Sequence, residues 1–90
     1  MEVKHELNKS VQAYILMTVE IGKTDQVLEH LRKIEEATRV SVTTGEYDIV
    51  ARIKTESLEE KYQISTEKIH MIEGILEAQT AVIEKEEVSG

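Results

Sequence analysis

The chain has 90 residues, enough for one domain, and its composition of 40% hydrophobic and 32% charged residues is that of a globular protein, not a disordered one. A formal net charge of −7, with the basic residues scattered among acids, argues against a nucleic-acid footprint and against an anionic membrane as partner. Cysteine is absent, which excludes disulfides and thiolate metal sites; no apolar run nears the length of a membrane span or a signal-peptide core, so the expected compartment is the cytoplasm.

Residues 1–10 are polar, show no clear period and read as a short lead-in. Val11 to Ile21 alternates as a strand. Val11, Ala13, Ile15, Met17, Val19 and Ile21 fall on one face, and Gln12, Tyr14, Leu16, Thr18 and Glu20 on the other. Gly22 ends it. A helix is expected from Thr24 or Asp25 to Glu36, with Val27, Leu28, Leu31 and Ile34 as its apolar stripe and Thr24 as N-cap. Thr38 to Thr43 reads as a short strand with Val40 and Val42 on one face. Tyr47 to Lys54 reads as another, burying Tyr47, Ile49, Ala51 and Ile53 and turning Asp48, Val50, Arg52 and Lys54 away. Ser57-Leu58-Glu59-Glu60 has capping-box spacing and opens a second helix, with Leu58, Tyr62, Ser65, Ile69 and Ile72 on its inner face. Gly74 is its expected stop, and Ile75 to Ile83 the last strand, followed by a charged tail.

The order is β-α-β-β-α-β. A weak internal repeat supports it: Ile34-Glu35-Glu36 returns as Ile72-Glu73-Gly74, each just before a strand. Two βα units joined by a hairpin make an α+β, ferredoxin-like fold, with a four-stranded antiparallel sheet and two helices on one face. The other face is then bare and carries Tyr14, Leu16 and Val50. Apolar surface left in water is unfavourable by roughly 25 cal/mol per Å², and a second copy of the same face is the simplest cover. These three residues are therefore the expected dimer interface.

Thr44-Gly45-Glu46-Tyr47-Asp48 joins the two middle strands. Gly45 lacks a Cβ and can reverse the chain tightly. A carboxylate, a phenol and open backbone groups meet at this turn, which makes it a small-molecule corner. The bland alternative is that Asp48 bonds nearby backbone as a turn residue. His5, His30 and His70 have no metal-ligand spacing, and no catalytic triad, phosphate loop or zinc pattern is present.

These residues resemble a known family. From about Val11 to Glu86 the chain is similar to the effector-binding (RAM) domain of the Lrp/AsnC transcriptional regulators, leaving 87–90 as a tail. The resemblance rests on Gly22, on Thr44-Gly45-Glu46-Tyr47-Asp48-Ile49-Val50, on Ile72-Glu73-Gly74-Ile75, and on Ala78-Gln79-Thr80, where the family pattern is Thr-x-Thr. It implies dimers formed through the sheet, rings of dimers such as octamers, and an amino-acid effector bound between dimers. The ligand-binding residues it implies are Gly45, Tyr47, Asp48 and Thr80, with Gln79 as a neighbour. Two departures stand out: a helix-turn-helix is missing, as in a stand-alone version of the domain, and Ala78 replaces a Thr.

The function expected is an oligomeric, amino-acid-sensing module that does not bind DNA or membranes itself and needs no cofactor. It would act with its own copies or with a full-length Lrp/AsnC regulator. The alternatives are a structural assembly domain without ligand, and a small ferredoxin-like dimeric enzyme. The aliphatic helix faces rank the enzyme last, and fold alone does not decide among the three.

Overall fold

The structure, a computed structural model, describes residues 10–56 and 59–83. Residues 1–9 of the lead-in, the expected capping box at Ser57 and Leu58, the side chain of Tyr62 and the charged tail lie outside the described residues, while Ser10, expected in the lead-in, already pairs with Glu56 as the first residue of a strand. The elements run β1 (Ser10–Val19), α1 (Thr24–Leu31), β2 (Ala37–Val42), β3 (Ile49–Glu56), α2 (Glu59–His70) and β4 (Ile75–Val82). The four strands form one sheet in the order β2-β3-β1-β4, every pair antiparallel. This is the ferredoxin-like fold expected.

Period-two alternation sorts the strands into two faces. Ala13, Ile15 and Met17 of β1 stand opposite Ile53, Ala51 and Ile49 of β3, and all six are fully buried. Val27 and Leu31 of α1 and Ile69 of α2 join the same cluster, so both helices cover this face. Complete burial of one such aliphatic side chain contributes roughly 1.5–3 kcal/mol. The cluster is the core.

Several boundaries depart from the pattern reading. The first helix ends at Leu31, not Glu36. Beyond it Lys33 N–H donates to His30 O and Ile34 N–H to Leu31 O, at 3.1 and 3.0 Å. These are tight i→i+3 turns. Ile34 remains buried, so the apolar stripe outlasts the helix that it suggested. At the other end Lys23, not Thr24, is the N-cap, and no side chain caps the helix.

The first strand ends at Val19. Glu20 N–H donates to Gly74 O at 2.8 Å, and Lys23 N–H returns to Glu20 O at 3.0 Å, closing a turn through Ile21 and Gly22. Ile21, expected in the core, is 98% exposed. Similarly β3 begins at Ile49, so Tyr47 is not a core-face strand residue. It is half-buried and lies in the loop that precedes the strand.

Neither described helix lies over the opposite face of the sheet. Leu16 and Val50 pair at its centre, half-buried, and Tyr14 stands beside them facing Arg52. No described helix is long and apolar enough to cross a membrane.

Candidate functional site

Antiparallel pairing gathers one end of β1, β2, β3 and β4 around the β2–β3 hairpin. Thr43 N–H donates to Asp48 O at 2.9 Å and Thr43 Oγ1 to Tyr47 O at 2.7 Å, which closes the hairpin. At its tip Gly45 takes φ +108°, a conformation that side chains disfavour, and stands in open space.

Asp48 locks this hairpin to β1. Its N–H donates to Met17 O at 2.8 Å, and its Oδ2 accepts the Val19 N–H at 2.8 Å. The carboxylate substitutes for a ladder acceptor just before β3 begins. Asp48 thus bonds backbone as the bland alternative held, but on a distant strand, not within its own turn. Its other oxygen has no protein partner among the described residues.

Tyr47 reaches across β1. Its hydroxyl donates to Gln79 Oε1 at 2.7 Å, although β1 lies between β3 and β4. Gln79 pairs with Leu16, so the contact lies on the helix-free face. Tyr47 and Gln79 are therefore brought together, with Asp48 next to Tyr47 in the chain and anchored on Val19. Thr80 is not brought to them. It pairs with Ile15, on the helix side of the edge strand, and is exposed there. Ala78 faces the same side, opposite Met17, and packs against the core.

Sequence reasoning missed the apolar rim at this end. Ile21, Val42, Met71 and Leu76 are 98, 62, 83 and 69% exposed. The signal available for Ile21 was the glycine that follows it. Gly74 is also more than a helix stop. At φ +104°, a Cβ added there would lie 3.1 Å from both Lys23 Cβ and Val27 Cγ2. The α2–β4 connection therefore seats against the start of α1 through a position that suits glycine, by its positive φ and its lack of a Cβ.

The arrangement offers a carboxylate oxygen, a phenol and a carboxamide at an exposed corner. That set can hold a small zwitterion: the carboxylate suits an ammonium group, and the neutral groups suit its polar remainder. Among the described residues no three His, Asp or Glu side chains gather as a metal set.

Comparison with known proteins agrees with the fold. The profile of the Lrp/AsnC ligand binding domain matches residues 12–90. The helix-turn-helix-type transcriptional regulator FL11 of Pyrococcus furiosus is 34% identical over 79 residues, which make 88% of this chain and 52% of that protein. The FL11 regulators of other Pyrococcus species are matched over a smaller share, so the chain spans about half or less of its curated relatives. The crystal structure of FFRP-DM1 is 34% identical with a TM-score of 0.73, covering 81% of this chain and 97% of that one. The transcriptional regulator NMB0573 of Neisseria meningitidis, solved as a complex with L-Met, shares the fold at a TM-score of 0.75 and 19% identity, over 96% of this chain and 57% of that one.

Proposed function

Because this chain belongs to the Lrp/AsnC ligand-binding domain family, we propose that it is a self-associating regulatory module that senses an amino acid at the hairpin corner. The observation that carries this reading is the joining of Tyr47 and Gln79 across β1, beside an Asp48 carboxylate with one oxygen unused. Asp48 pairs with the α-ammonium group. The Gly45 backbone, in open space, and the Tyr47–Gln79 pair receive the rest of the ligand. Thr80, on the other side of β4, contributes only to a pocket shared with a neighbouring copy.

Assembly uses two surfaces. Tyr14, Leu16 and Val50 pair the helix-free sheet faces of two copies. The exposed rim of Ile21, Val42, Met71 and Leu76 joins one dimer to the next, around the effector. The same faces would let the chain mix with a full-length regulator of the FL11 type. The net charge of −7 leaves DNA contact to that partner.

Thermal melting against the twenty amino acids tests the reading, with methionine first because the Neisseria relative was solved with L-Met. An effector at 100 times its dissociation constant should stabilise the protein by about 2.7 kcal/mol. Asp48→Asn keeps an acceptor for Val19 but removes the charge. It should weaken binding roughly tenfold to a hundredfold, since a charge-assisted hydrogen bond contributes about 1.5–3 kcal/mol. If no amino acid raises the melting temperature at millimolar concentration, the sensing role fails and assembly alone remains. If one binds Asp48→Asn as tightly as wild type, the role of this carboxylate fails.

A further inference from the structure

The helix-free face is basic on one flank, in a chain of net charge −7. Arg52 stands beside Tyr14 and directly opposite Arg39 of β2. Like charges opposed across neighbouring strands are destabilising. Arg52 is half-buried. Its Nη2 donates to Gln12 Oε1, and its buried Nε has no partner among the described residues. None of their carboxylates pairs with it. Among the described side chains on the strands of this face, the carboxylate is Glu77 of β4, exposed and opposite Thr18.

The positions of the two charges are related. Leu16 lies midway between Tyr14 and Thr18 on β1. Arg52 is one strand to one side of Leu16 and level with Tyr14. Glu77 is one strand to the other side and level with Thr18. With strands about 4.8 Å apart and a rise of about 3.3 Å per residue, each charged position is about 8 Å from Leu16, in opposite directions. A two-fold axis between two facing sheets, through Leu16 and perpendicular to that line, exchanges the two positions. On a flat sheet it crosses the strands of the two copies at about 70°, close to the orthogonal class of sheet packing.

We propose that the two copies of this chain pair with Arg52 of each on Glu77 of the partner subunit, on either side of a central Leu16 contact. The pairing rests on the proposed self-association of this face and adds to it the orientation and the charge rule that selects the partner. A full-length regulator that mixes with this chain must then present an acid and a base at the corresponding places.

The test is a charge swap followed by sedimentation equilibrium on the full chain, with circular dichroism as the check of folding. Arg52→Glu and Glu77→Arg each place two like-charge contacts in their own homodimer. Each should associate about 100-fold more weakly than wild type. Mixed one to one, the two variants make both contacts favourable again, and the mixture should dimerise within about tenfold of wild type. The double variant R52E/E77R should do the same. The neutral variants Arg52→Gln and Glu77→Gln should each weaken dimers roughly tenfold, and mixing them should recover part of that loss, because one of the two contacts in the mixed dimer is again Arg52 on Glu77. Single variants that dimerise like wild type, or a mixture no tighter than its components, would overturn the pairing while leaving the sheet-face dimer intact. A wild-type chain that is monomeric at micromolar concentration would overturn both.

Discussion

Ile15 and Leu16 are neighbours in β1, and the helices make them different. Ile15 is fully buried beneath the helices, among Met17, Ile49, Ala51 and Ile53. Leu16 faces the other way, pairs with Val50 and stays half open. The covered face is uniformly aliphatic at its centre. The open face mixes Tyr14, Leu16 and Val50 with Gln12, Arg52 and Lys54. A uniformly apolar surface suits a permanent interior, since it leaves no polar group to satisfy. A mixed surface suits an interface, where polar groups set partner and orientation. In the proposed assembly one sheet divides its labour: one face folds the chain and the other is offered to a copy.

The largest expected effect comes from breaking the folded face. Ile15→Ala should cost about 2–5 kcal/mol, because the fully buried site cannot collapse onto the cavity. Leu16→Ala, one residue on, should cost less when measured on dilute, dissociated protein. Denaturant unfolding of both variants checks this; equal losses would erase the distinction between the faces.

The joints between elements come next. Gly74→Ala should cost on the order of 1–3 kcal/mol from backbone strain, and more from the contacts with Lys23 and Val27. Gly45→Ala carries strain of the same kind with no neighbour to meet. Thermal unfolding should therefore rank Gly74→Ala as the more damaging of the two. The smallest effect should be at Asp48. Asp48→Ala leaves the Val19 N–H without its acceptor and should cost about 1–2 kcal/mol, whereas Asp48→Asn should cost little, since an amide oxygen still accepts. Equal losses in the two variants would mean that charge, not the hydrogen bond, holds the hairpin to β1.

The sheet and its two faces were legible in the sequence because alternation has a period of two and the strands are well patterned. The residues at the ends of the strands were less so. Ile21 continues the alternation but lies past the bond from Glu20 to Gly74, a contact between segments far apart in the chain. Tyr47 likewise continues the pattern of β3, yet its hydroxyl is drawn across β1 to Gln79. Ile34 kept the helical spacing after the helix had tightened into turns. Periodicity records which side of the chain is apolar, not where hydrogen bonding ends. The corner itself was visible as the Thr44-to-Asp48 hairpin, whereas the family resemblance pointed to Thr80 and named Gln79 only as its neighbour. The bond from Asp48 to Val19, and the separation of Thr80 from Gln79 by the sheet, follow from strand register, which one sequence does not display.

The division between the two faces is tested most directly by measuring mass and stability together. Sedimentation equilibrium of wild type should give a dimer or a larger even assembly at micromolar concentration, with an unfolding midpoint that rises with protein concentration. Leu16→Lys should give a folded monomer whose midpoint does not depend on concentration. A wild-type monomer, or a Leu16→Lys chain that assembles like wild type, would contradict the account.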